Sequence, residues 1–113
     1  METTHAVHAL AALAQETRLE VFRLLVKAHD PEPAKGGLPA GEIAARLDIA
    51  PATLSFHLKE LARAGLLASR KEGRSIIYRA QLDKVSALAG FLLEDCCQGR
   101  CGVCVGAPAM ASA

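Results

Sequence analysis

Cys96, Cys97, Cys101 and Cys104 fall within nine residues of a 113-residue chain, in the string Cys-Cys-Gln-Gly-Arg-Cys-Gly-Val-Cys. Thiolates are soft donors. A three-coordinate thiophilic ion such as trivalent arsenic or antimony is satisfied by three of them, with no histidine or carboxylate. Gly99 and Gly102 let the backbone fold back so that Cys101 or Cys104 approaches the vicinal pair, which two adjacent helical side chains cannot arrange alone. Arg100, inside the cluster, favours the thiolate form. The same four sulfurs also suit zinc or cadmium, although paired zinc ligands are normally separated by a longer loop. A thiol/disulfide switch would use these residues too, with an oxidant in place of an ion. A thiol reductase built on Cys101-x-x-Cys104 is the least favoured reading. That motif opens a helix after a strand, whereas here it follows a helical segment.

A second set of residues suits double-stranded DNA. A helix that enters the major groove needs polar residues near its N-terminus to reach base edges, and an apolar face to hold it on its neighbour. In residues 51–63, Leu54, Leu58 and Leu61 repeat at i, i+4 and i+7, while Thr53, Ser55, Phe56 and Lys59 lie off that stripe and Arg63 ends the segment. An ordinary amphipathic helix with a solvated outer face has the same spacing, so charge has to separate the two readings. Residues 51–80 hold six basic side chains against two acidic ones, a local charge of +4, and the rest of the chain carries seven against ten, or −3. Arg70, Lys71 and Arg74 fall at the tip of an expected hairpin, where a wing would touch the sugar-phosphate backbone or the minor groove. His57, beside Leu58, reads as a partly buried, hydrogen-bonded structural residue rather than a ligand. His5, His8 and His29 receive no role.

The elements that must carry these residues are mainly helical. The chain holds 22 Ala and 16 Leu and is only 4% aromatic, a composition that favours helix over strand. Its length suits one domain, and a net charge of +1 neither attracts nor excludes nucleic acid. Residues 3–14 and 16–28 read as two helices, with stripes through Val7, Leu10 and Ala14 and through Leu19, Phe22 and Val26. Pro31, Pro33, Gly36, Gly37 and Pro39 mark residues 29–39 as a loop without core residues. A short helix over residues 41–47, a turn at 48–50 and a helix opening at Pro51 and stopping at Gly65 form a helix-turn-helix. Residues 66–71 and 75–80 flank Glu72-Gly73-Arg74 as a β-hairpin. A last helix over residues 82–95 follows, through Val85, Leu88, Ala89 and Leu92. The division is a folded domain over residues 1–95 and a cysteine-containing segment over 96–113 with a mobile end. No stretch approaches the roughly 18 apolar residues of a membrane span. The first ten residues show no basic leader before an apolar run, so the chain reads as cytoplasmic with no membrane partner.

The run Ile43-Ala44-Ala45-Arg46-Leu47, the segment Ser55-x-His57-Leu58-Lys59-x-Leu61-x-x-Ala64-Gly65-Leu66, the wing Lys71-Glu72-Gly73-Arg74 with Tyr78, and Thr17-Arg18-Leu19 together resemble the ArsR/SmtB family of winged-helix repressors. The resemblance covers roughly residues 8–95. It implies a winged helix-turn-helix fold, a homodimer joined through the first and last helices, repression at an operator of two-fold symmetry, and release when a metal or metalloid ion binds. Many arsenic repressors of the family carry cysteines at the start of the helix-turn-helix, where this chain has Ile49-Ala50-Pro51-Ala52. Zinc-sensing members use histidines and carboxylates on the last helix, where only Asp83 is available here. The vicinal pair Cys96-Cys97 with a further cysteine beyond it is similar to the subgroup associated with trivalent arsenic, Cys101 and Cys104 both lying near the third position.

Overall fold

The computed structural model describes residues 1–95, so Cys96, Cys97, Cys101 and Cys104 lie outside the described residues. Five helices and a three-stranded antiparallel sheet follow the order α1 (Thr3–Leu13), α2 (Glu16–Lys27), β1 (Leu38–Pro39), α3 (Ala40–Leu47), α4 (Pro51–Arg63), β2 (Leu67–Glu72), β3 (Ser75–Ala80) and α5 (Leu82–Leu92). This is a winged helix-turn-helix. Among the described residues no helix is long and apolar enough to cross a membrane.

The two N-terminal helices form where expected but bury other faces. In α1 the core side is Ala6, Ala9 and Ala12, while Val7 and Leu10 are 55% and 43% exposed. Small residues at this spacing let the helix axis approach its neighbours closely, and the larger aliphatics are left pointing outward. In α2 the buried residues are Val21, Phe22 and Leu25, so of the expected stripe only Phe22 faces the core and Leu19 and Val26 are exposed. The Gln15 side chain caps α2 by accepting the Arg18 backbone N–H at 2.9 Å, and Glu16 and Lys27 sit at the ends that the helix dipole favours.

The helix-turn-helix follows its local signals. Helix α3 ends at Asp48, which takes a left-handed conformation with φ 54°, and α4 begins with Pro51 in its first turn. Leu54, Leu58 and Leu61 are buried in α4 as the stripe requires. Gly65, with φ +80°, turns the chain out of α4, and the Leu66 N–H bonds back to the Leu61 carbonyl at 3.0 Å, the closing bond of a Schellman-type stop. Strands β2 and β3 pair in the register Leu67↔Ala80 through Glu72↔Ser75. Gly73, with φ +61°, supplies the positive φ that a two-residue hairpin turn needs at its first position.

Residues 29–39 are not wholly loop. Leu38 and Pro39 form β1, an edge strand paired with β3 in the register Leu38↔Tyr78, Pro39↔Ile77, and Leu38 joins the core. Two residues are too few for alternation to reveal a strand, and proline without its N–H is tolerated at an edge. The sheet has two unlike faces. Leu67, Tyr78 and Ala80 pack on the helical core, whereas Ile77 is buried yet stands apart from that cluster. Ile77 lies against Gly37, where a Cβ would stand 3.0 Å from Ile77 Cγ2 and 2.5 Å from the Tyr78 carbonyl oxygen. Helix α5 ends at Leu92, short of Asp95. Leu88 is its buried residue, Val85 and Phe91 pack partly against the core, and Leu92 is 58% exposed.

Candidate nucleic-acid interface

Burial of Leu54, Leu58 and Leu61 orients α4 so that Thr53, Ser55, Phe56, Lys59 and Arg63 are all exposed. Thr53 sits in the first turn, where unpaired backbone N–H groups and the helix dipole favour an anionic neighbour, and Ser55 begins the second. Arg63 lies about 15 Å along the axis from Thr53 at 1.5 Å per residue, beyond the reach of a base edge read by the N-terminal turns. It also pairs with Glu60 at 3.4 Å. Lys59 has no carboxylate partner among the described residues.

Phe56 and His57 are held by a residue with no role assigned from sequence. Arg18, from the first turn of α2, donates from Nε to His57 Nδ1 at 3.2 Å, and its guanidinium carbon stands 5.5 Å from the Phe56 ring centroid. The His57 ring, 8% exposed, meets Phe56 edge-on with centroids 5.8 Å apart. Because Nδ1 accepts this bond, the proton of the neutral imidazole belongs on Nε2. Arg18 thus joins α2 to the middle of α4 through one hydrogen bond and one cation–π contact. The sequence signal for it was the Thr17-Arg18-Leu19 motif, which marks the position without showing what it touches.

The four basic residues of β2, β3 and their turn divide into two kinds. Lys71 and Arg74 are exposed with no carboxylate partner among the described residues. Arg70, expected to touch DNA, is turned inward with only a quarter of its side chain exposed. Its Nε donates to Glu72 Oε2 at 2.7 Å, Nη2 to the Gly36 carbonyl at 3.0 Å and Nη1 to the Pro33 carbonyl at 3.4 Å. Adjacent residues of a strand point to opposite faces, so Arg70 and Lys71 cannot present their side chains to the same surface. Arg79 likewise donates to the Asp30 carbonyl at 3.1 Å. No group of three or more histidine, cysteine or carboxylate residues among the described residues is placed to hold a metal ion. The residues fitted by type for a thiophilic ion are the four cysteines outside them.

Residues 13–70 match a family model described as a helix-turn-helix domain. Over 95 residues the chain is 36% identical to the transcriptional activator HlyU of Vibrio cholerae, covering 84% of this chain and 81% of HlyU. An ArsR-like transcriptional regulator from Rhodococcus sp. RHA1 has a similar structure, with a TM-score of 0.68 and 32% identity over 80% of this chain and 77% of that one. The homodimeric winged helix-turn-helix DNA-binding domain of Mb0332 from Mycobacterium bovis is similar at a TM-score of 0.64 and 25% identity, covering 80% of this chain and 77% of that domain. HlyU and the Rhodococcus protein are transcriptional regulators, and the Mycobacterium domain is that of a possible ArsR-family regulator.

Proposed function

Because the chain belongs to the ArsR-like family of winged helix-turn-helix transcriptional regulators, we propose that it is a repressor that binds operator DNA as an apo-homodimer and is released by trivalent arsenic or antimony. The ion is held by Cys96 and Cys97 with Cys101 or Cys104 as third ligand, a donor set matched to a soft three-coordinate ion. DNA is read by Thr53, Ser55 and Phe56 and gripped at its phosphates by Lys59, Arg63, Lys71 and Arg74. The observation that carries the DNA reading is the exposed cationic surface of Lys59 on α4 and Lys71 and Arg74 on the wing, without carboxylate partners among the described residues, set beside a helix whose apolar stripe is fully buried. Val7, Leu10 and Leu92 leave apolar area exposed on α1 and α5, the two helices through which a second copy would pack. Linkage supplies the mechanism: the ion weakens DNA binding by the factor by which it prefers the DNA-free conformation. Gathering three sulfurs just beyond α5 alters the end of a dimer helix. The separation of the two copies of α4 changes with it, and half-sites one helical turn apart tolerate little change.

The test uses the full chain and a DNA fragment recovered by selection from genomic fragments. Cys96→Ser and Cys97→Ser are expected to bind that fragment as the wild type does and to stay bound when arsenite is added. Release of either variant by arsenite removes the sulfur site from the mechanism. Release of the wild type by zinc or cadmium but not arsenite changes the ion, and release by mild peroxide alone makes the cysteines a redox switch.

A further inference from the structure

The segment between α2 and β1 is a folded object. The Gly37 N–H donates to the Ala28 carbonyl at 3.0 Å and closes a neck, and inside it the Glu32 N–H bonds Asp30 Oδ1 at 2.8 Å and the Lys35 N–H bonds the Glu32 carbonyl at 2.9 Å. Gly36, with φ +73°, packs so closely that a Cβ there would stand 2.7 Å from the Asp30 nitrogen. Such a compact excursion on adjoining ends is an Ω-type loop. It covers the sheet face opposite the helical core, over Ile77. Backbone carbonyls outside helix and sheet need partners. Three in this loop, those of Asp30, Pro33 and Gly36, take theirs from Arg70 and Arg79 of the sheet.

Arg70 grips at both ends. Two of its nitrogens hold the loop, and the third holds the carboxylate of Glu72, the last residue before the Gly73-Arg74 turn. We infer that residues 29–37 form a brace, locked by the Arg70 fork, that sets the position of the wing tip, and that Arg70 is a positioning residue for DNA binding rather than a phosphate contact. The inference rests on the DNA-binding reading above. The brace holds the turn between Glu72 and Ser75, so Lys71 and Arg74 meet the duplex in one arrangement instead of many. Only the planar guanidinium can serve both sides at once, since an ammonium lacks the fork that spans a carboxylate and two carbonyls.

The selected DNA fragment and a titration of salt separate positioning from direct phosphate binding. Removing one cation that neutralises a phosphate makes the slope of log K against log salt shallower by about 0.9. Lys71→Ala removes two such cations from the dimer, one per subunit, and is expected to make the slope shallower by about 1.8. Arg70→Lys keeps the charge and loses the fork, and is expected to bind about tenfold more weakly at every salt concentration with the wild-type slope. Glu72→Gln gives an opposed sign: removing a negative charge from a DNA-facing wing tightens binding by electrostatics alone, whereas a broken brace weakens it about threefold. Arg70→Lys binding like the wild type, Arg70→Ala losing slope as Lys71→Ala does, or Glu72→Gln binding more tightly would each overturn the inference. Trypsin cleavage after Lys35 in the DNA-free protein is expected to be several times faster in Arg70→Lys, and an unchanged rate shows that the fork does not hold the loop. Absence of wild-type binding to any DNA, with cleavage still accelerated, would instead sink the DNA reading and leave the brace as a structural fact.

Discussion

Among the described residues the Arg18–His57 pair is the one polar link between α2 and the buried side of α4, and its strength follows from its surroundings. Arg18→Met keeps most of the apolar stem and removes the donor, leaving His57 Nδ1 without its partner at a site 8% exposed. An unsatisfied buried acceptor costs about 1–3 kcal/mol. The absence of stacking on Phe56, a ring half open to water, adds about 0.5 kcal/mol. The single change is therefore expected to cost about 2 kcal/mol, roughly 10 °C in Tm for a domain of this size. His57→Leu removes the acceptor and keeps an apolar side chain, and Arg18 is free to turn toward water. The cost should be about 1 kcal/mol. With both changes made, no buried polar atom is stranded, so the double variant should lose about 1–2 kcal/mol less than the sum of the singles. The assay is urea unfolding at one fixed protein concentration, since association shifts apparent stability. Additivity within about 0.3 kcal/mol would show that the 3.2 Å hydrogen bond contributes nothing, and the account of how α4 is held would be wrong.

Leu61→Ala, at a fully buried position of α4, is expected to cost about 2–5 kcal/mol in the same assay. A loss under about 1 kcal/mol would mean that α4 is not seated on the core as described. Leu10→Glu places a charge on the exposed apolar side of α1, where the cost to the isolated chain is small. Its expected effect is at least a tenfold weaker dimer by sedimentation, with operator affinity falling alongside; an unaltered dimer would move the interface off α1.

Much of the reading domain was written locally. Pro51, the Leu54/Leu58/Leu61 spacing and Gly65 delimit α4, and Gly73 places the hairpin turn, because each acts through dihedral preference or a 3.6-residue period within a few neighbours. The exposure of Thr53, Ser55, Phe56 and Lys59 followed from that same stripe. In α1 and α2 periodicity misled. Both helices carry apolar residues on more than one side, and the one buried is the one that fits the neighbour: Ala6, Ala9 and Ala12 for close approach, Val21, Phe22 and Leu25 for filling the core.

Charge counts could place Arg70 at the wing but not say which way it faced. That depended on three carbonyl and carboxylate acceptors, two of them in a loop more than thirty residues earlier, and on the alternation that sends Arg70 and Lys71 to opposite sides. The link from Arg18 to His57 spans 39 positions and β1 is two residues long, so neither leaves a local pattern. Sequence alone determined where α4 starts and stops, where the hairpin turns and where the thiols gather, though not where α5 ends, because these signals are set by nearest neighbours along the chain. Only the tertiary structure decided which faces are buried and which cations are free, because burial and hydrogen bonding are settled between segments that meet only once the chain has folded.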